Sequence, residues 1–195
     1  MGKILSKNAV RIAAFLAIFL SFGVASCGSG TILSAPKTAE EWFDKGNAAF
    51  INRDYGEAIK CYKKTINLNP NHVGAYGNLG LAYRYGKQDY EKAIKYFDKA
   101  IEYFEKEVEL NPDFARAYID LGLAYQVGRE DYEKAIKCYE KAIELNPNYV
   151  EAYYNLGAAY QEQGNLKKTI EYLIKAAKLG HEDARQWLRE RNIPW

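Results

Sequence analysis

The chain has 195 residues, with 27 Lys and Arg against 25 Asp and Glu and a 48% hydrophobic share. That length allows one domain plus a targeting segment, and the mixture of apolar and charged residues argues against disorder beyond the ends. Beyond residue 26, 24 basic residues meet 25 acidic ones, a balance that argues against a nucleic-acid binder.

The first 26 residues read as an address. Lys3, Lys7 and Arg11 precede an apolar run from Ile12 to Ala25, broken only by Ser21 and Gly23. As a helix this run is roughly 21 Å long, short of the roughly 30 Å hydrocarbon core and suited to a signal-peptide core. It ends in Val24-Ala25-Ser26-Cys27, followed by Gly28-Ser29-Gly30. This ending resembles the lipobox of bacterial lipoproteins, which implies cleavage before Cys27 and lipid (palmitate among the acyl chains) on its thiol. An ordinary cleaved signal is the plainer alternative. Met1-Gly2-x-x-x-Ser6 also fits a myristoylation pattern, but that leaves the apolar run unexplained. Residues 27–38 read as a flexible tether, spanning about 18 Å by coil scaling. Gly28 after the cysteine is similar to lipoproteins sent to an outer membrane.

From residue 39 onward one pattern is written four times. Trp42-x-x-Lys45-Gly46, Tyr76-x-x-Leu79-Gly80, Tyr118-x-x-Leu121-Gly122 and Tyr153-x-x-Leu156-Gly157 place their glycines 34, 42 and 35 residues apart. Each unit starts with apolar residues at helical spacing. A break follows, then a second amphipathic run, closed by Asn-Pro at 69–70, 111–112 and 146–147. Proline disfavours helix at the residue before it, so the dipeptide is a stop signal. Small residues recur where two helices approach closely: Gly46, Gly80, Gly122 and Gly157 on first helices. Ala58, Ala93, Ala135 and Thr169, then Thr65, Ala100, Ala142 and Ala176, do so on second helices.

These residues resemble the tetratricopeptide-repeat signature over about residues 39–183. The last stretch, Lys175 to Arg185, is similar to the ending of Sel1-like repeats. The resemblance implies an all-α fold: an α-solenoid, a right-handed superhelix of four helix pairs with a C-terminal capping helix. The repeats fall at 39–72, 73–114, 115–149 and 150–183, with 184–195 as capping helix and tail, docked through Trp187 and Leu188. A first repeat has no earlier neighbour to cover it, so Lys45 and Ala49 suit a terminal unit. The second repeat is 42 residues long. One extra residue lies in its turn (Tyr85–Asp89) and seven more extend its second helix through Ile101–Val108, keeping helical phase. An offset of the third repeat along the helix axis, or a protruding knob bearing Tyr103 and Phe104, is one expectation, and a harmless elongation is the other.

In such superhelices the first helices line a concave surface. Here the lining is Phe43, Asn47, Phe50 and Ile51; Gly77, Leu81 and Tyr85; Ile119, Leu123 and Val127; and Tyr154 with Ala158. So apolar a concavity is expected to hold a peptide or helix segment of another protein. Chaperone-tail clamps of this family hold a carboxylate with Lys, Arg and two Asn. Asn47 and Asn78 match, but Phe43 stands for the first Lys and Asp120 for the Arg, while Arg116 could replace the second Lys. An acid there repels a carboxylate, so the clamp is rejected.

No metal-ligand spacing and no Gly-rich phosphate loop appears, and the Asp/Glu pairs sit beside Lys at helical spacing. His72 and His181 lie in inter-repeat turns. Cys61 and Cys138, in equivalent places two repeats apart, are expected beyond the roughly 7 Å limit for a disulfide. The basic residues from Lys167 to Arg191 read as a solvated face. The expectation is therefore a non-catalytic binding scaffold without cofactor, metal, nucleic acid or small-molecule substrate. Lipid on Cys27 would hold it in the cell envelope: on an outer membrane facing the periplasm, or outside the cytoplasmic membrane of a single-membrane cell. Small lipoproteins of this family that support pilus, secretion or outer-membrane assembly supply the analogy. An adaptor for peptidoglycan enzymes, acting through charged outer faces, is the rival; a hydrolase with an unrecognised site is a more distant one.

Overall fold

Pairing of a slim first helix with a second helix bearing a large side chain decides the architecture. A computed structural model describes Pro36 and residues 38–195, so the signal segment and Cys27 lie outside the described residues. Among these, nine helices and no strand are present: α1 (Ala39–Ile51), α2 (Tyr55–Leu68), α3 (Val73–Ala82), α4 (Tyr90–Leu110), α5 (Ala115–Leu123), α6 (Tyr132–Leu145), α7 (Val150–Glu162), α8 (Leu166–Lys178) and α9 (Glu182–Glu190). None is long and apolar enough to cross a membrane. The chain divides into two compact units at Tyr103/Phe104, inside α4.

Side-chain caps set the start of α1 and of the second helices, whereas α5 and α7 begin without one. Thr38 and Glu41 form a capping box at α1. In the second helices a carboxylate or amide repeats the device: Asp54 accepts from Glu57 N (3.0 Å), Asp89 from Lys92 N (3.1 Å), Asp131 from Lys134 N (3.0 Å) and Asn165 from Lys168 N (3.2 Å). Each such cap contributes about 1 kcal/mol. The stop at Asn-Pro is extended backbone: Asn69 and Asn146 have φ −134° and −141°, and their side chains accept from Asn71 N and Asn148 N at 3.1 Å.

In the first unit α1 packs on α2, α2 on α3, and α1 also touches α3. A Cβ on Gly46 would stand 2.6 Å from the Tyr62 ring, and one on Gly80 3.1 Å from Phe97. The second unit repeats this. A Cβ on Gly122 would stand 2.6 Å from Tyr139, and one on Gly157 3.0 Å from Leu173. Ala58, Thr65, Ala100, Ala135, Ala142, Thr169 and Ala176 are wholly buried, and Ala93 nearly so. In this unit α5 packs on α6, α6 on α7, α7 on α8 and α8 on α9, with α5 also touching α7. Leu188 of α9 is fully buried, while Trp187 keeps its ring under the Arg191 guanidinium at 3.9 Å.

The extra turn residue takes a form that periodicity alone did not convey. Tyr83–Lys87 and Ala124–Arg129 are π-helical, continuing α3 and α5, and end on left-handed Gln88 (φ 51°) and Glu130 (φ 55°). A residue added within a helix is absorbed by one wider turn. Arg53 (φ 61°) and Gly164 (φ 77°) close the other two pairs with no π turn.

α4 has 21 residues against 14 in α2 and α6, an excess worth about 10 Å. The expected knob is not formed. Tyr103 lies 5.7 Å from the Tyr76 ring and its hydroxyl donates to Pro70 O and Asn71 Oδ1, both at 3.2 Å. Phe104 is 5% exposed. The added aromatics are spent on packing, while Leu110 (80%) and Phe114 (48%) beyond them are exposed.

Candidate functional site

The faces expected to bind a partner are described in each unit separately. In the first, α1 presents Phe43, Asn47, Phe50 and Ile51. Phe43 sits 4.4 Å from the His72 ring and 5.9 Å from Tyr62; Phe50 meets Tyr55 edge-on at 5.2 Å. Asn47 Oδ1 accepts from Tyr62 OH at 3.0 Å and from Asn78 Nδ2 at 2.8 Å. Burial pushes the Tyr62 hydroxyl far above its ordinary range, which keeps it a donor. Gly77 and Leu81 are buried, Tyr85 is half-buried, and Ile51 is 55% exposed.

In the second unit Ile119 and Leu123 are each 1% exposed, Val127 5% and Tyr154 9%. The His181 ring stacks on Tyr154 at 4.0 Å and 11°. Arg116 Nε donates to both oxygens of Asp120, at 3.0 and 3.1 Å. Burial nevertheless raises the Asp120 carboxyl to about 6, with the nearby Glu107 adding to the rise.

An open apolar lining is therefore not what the structure shows: apart from exposed Ile51 and half-buried Tyr85 and Ala158 these residues are covered. Part of the reason in the first unit is plain, since Phe43, Asn47 and Phe50 have partners on the turns and second helices. The clamp positions are likewise spent. Asn47 and Asn78 bond one another, and Arg116 is held by Asp120, so these pairs offer a terminal carboxylate no ready cation.

Sequence reasoning missed what the histidines do. His72 Nδ1 accepts from Ala75 N (3.2 Å) at the start of α3, and His181 Nδ1 accepts from Ala184 N (3.4 Å) at the start of α9. Each also covers an aromatic of the preceding first helix, Phe43 or Tyr154. Their place one residue before a helix start was the available signal, since a ring nitrogen there can act as a cap. Burial pushes the His181 imidazole below its usual range.

Nothing in the site suggests covalent or metal chemistry. Among the described residues no group of His, Cys, Asp and Glu is arranged to hold a metal ion. Cys61 is buried, and burial pushes the Cys138 thiol up to about 12, so neither is a ready nucleophile.

Comparison with known proteins bears on the same residues. Tetratricopeptide-repeat models match residues 39–72, 61–95 and 150–179, and a TPR-repeat model matches 127–164. Hsp70-Hsp90 organizing protein 3 of Arabidopsis thaliana is 41% identical over 66 residues, which are 31% of this chain and 12% of that protein. Human serine/threonine-protein phosphatase 5 is 47% identical over 49 residues, 25% of this chain and 10% of that protein. The chain thus spans about a tenth of the length of these curated relatives. The crystal structure of TTC0263, a thermophilic TPR protein of Thermus thermophilus, shares the fold with a TM-score of 0.60 at 19% identity, over 95% of this chain and 93% of that one.

Proposed function

Since the chain belongs to the tetratricopeptide-repeat family, all-α and of the solenoid class, we propose that it is a non-catalytic scaffold. It binds a segment of another protein through its first helices while tethered to a membrane by lipid on Cys27. The repeated register carries this reading. Each first helix sets an apolar, amide or glycine residue at the same two places: Phe43 and Asn47, Gly77 and Leu81, Ile119 and Leu123, Tyr154 and Ala158. By its name, the Arabidopsis relative organizes two other proteins, which supports protein binding as the role. An apolar segment suits this chain better than a charged terminus, because the Asn47–Asn78 and Arg116–Asp120 groups already satisfy one another.

The tether and a place in envelope assembly (pilus, secretion or outer-membrane type) rest on Lys3 to Cys27 and the short linker that follows. Two measurements test the two halves. Cys27→Ala should leave the chain unprocessed or release it from membranes on fractionation, and unchanged anchoring overturns the tether. A crosslinking pull-down from the protein's own membranes should retain a specific partner above an untagged control; retention of nothing overturns the binding role.

A further inference from the structure

The last turn of α4 and the start of α5, both in the second unit, combine apolar exposure with charge of one sign. Leu110 is 80% exposed, whereas Leu68 and Leu145, its counterparts before the other two Asn-Pro stops, are 54% exposed and half-buried. Phe114 stands where His72 and His181 stand in their repeats. Those two rings cap the helix that follows and cover an aromatic. Phe114 offers no cap and is 48% exposed. Leu110, Pro112 and Phe114 line one open cleft of about 680 Å³, together with Glu107, Asn111 and Asp113. Residues 105–114 carry Glu105, Glu107, Glu109 and Asp113 against Lys106. The last turn of α4 holds no basic residue, although the negative end of a helix dipole favours cations and disfavours acids. Lys141 of α6, close enough to sense Asp113, is held by Glu144 at 2.8 Å.

We propose that this cleft docks a basic, apolar segment of a partner protein, whose apolar side chains cover Leu110 and Phe114 while its Lys or Arg residues face Glu107, Glu109 and Asp113. The surface is separate from the first-helix face and does not rest on that reading. An exposed apolar side chain standing alone is ordinary, but a group of them with a polar rim marks an interaction site. The sign of the rim then selects the occupant. A second copy of this chain would set the same carboxylates against one another, and like charges opposed across an interface weaken it. An anionic lipid surface is repelled for the same reason. A cationic segment gains twice, from the carboxylates and from the carbonyl end of α4.

The test uses full chains in detergent micelles. Random peptides displayed on phage are passed first over a variant carrying Leu110→Ser and Phe114→Ser, then selected on the wild type. Both residues are exposed, so the serine pair leaves the fold in place. Peptides that the wild type then retains should combine Lys or Arg with apolar residues. The best of them, synthesised, should bind about tenfold more weakly when Glu107→Gln, Glu109→Gln and Asp113→Asn are combined, and more weakly as salt rises. No enrichment on the wild type overturns the site. Acidic peptides, or peptides indifferent to the three charge substitutions, overturn its chemistry. Sedimentation equilibrium in the same micelles tests the other occupant. A monomer is expected, and a dimer that the serine pair dissociates assigns the cleft to a second copy and overturns the proposal. Each of these failures leaves the first-helix face standing, because peptides bound there are removed on the serine variant before the selection.

Discussion

Gly122→Ala puts the close approach of α5 and α6 to a direct test. The added Cβ would lie 2.6, 2.9 and 3.1 Å from Tyr139 Cε1, Cδ1 and Cζ, where carbon contacts settle at about 3.5–4.0 Å. The ring must retreat by about 1 Å, yet Tyr139 is fully buried and its hydroxyl is held by Gln126. Overpacking of this kind costs about 1–3 kcal/mol, and losing the Tyr139–Gln126 bond about 1 kcal/mol more. Alanine returns about 1 kcal/mol through helix propensity. The net expectation is a loss of about 1–3 kcal/mol, read by urea titration of the far-ultraviolet circular dichroism. Gly46→Ala should behave alike, with Tyr62 also at 2.6 Å, and Gly80→Ala should be milder, with Phe97 at 3.1 Å. Gly56→Ala, whose nearest neighbour is Asp54 Oδ1 at 3.6 Å, should be neutral or slightly stabilising. A Gly122→Ala protein as stable as wild type refutes the idea that bare glycine backbone sets the helix spacing.

Asn47→Ala removes the acceptor shared by Tyr62 and Asn78 and leaves two buried donors unmet, so stability should fall by about 2–4 kcal/mol; a loss under about 0.5 kcal/mol in the same titration would show that water replaces it. The His181 imidazole has its pKa lowered by burial, so the folded state favours the neutral ring. Its contribution is complete above about pH 6.5, the unfolded value, and is lost as pH falls through the lower folded value. Protonation at Nδ1 also ends the cap on Ala184. Trp187 fluorescence should therefore report loosening of α9 on acidification, and His181→Asn, which retains a capping oxygen, should flatten the response; an unchanged profile in that variant would remove the histidine from the account.

Much of the helix pairing was legible because it is written in residue size. The Gly46, Gly80, Gly122 and Gly157 positions had to be bare for Tyr62, Phe97, Tyr139 and Leu173 to fit, whereas the caps supplied by Asp54, Asp89, Asp131 and Asn165 were seen only in the structure. What stayed hidden depends on where a neighbour's atoms arrive. The pattern located an extra turn residue in the second repeat but not in the third, and could not show that α3 and α5 both run on into π turns. Tyr103 could be read as protruding because its partners, Pro70 and Asn71, lie more than 30 residues away in sequence. Similarly, the first-helix residues could be read as a face from their register, yet burial of Leu81, Ile119 and Leu123 is a tertiary fact. That burial also changes an experiment: Glu at Leu81 or Leu123 would place a charge in a covered site and cost stability, so loss of binding there would not isolate the interface.

The residues suited to probing that face are accordingly the reachable ones, Ile51 and Tyr85. A photo-crosslinking amino acid placed at each in turn, and at Lys95 and Lys137 on exposed second-helix positions, measures directly which surface meets a partner in the cell. The account predicts one shared crosslinked partner from Ile51 and Tyr85 and none from Lys95 or Lys137. Crosslinks confined to the two lysine positions, or absent from all four, would contradict it.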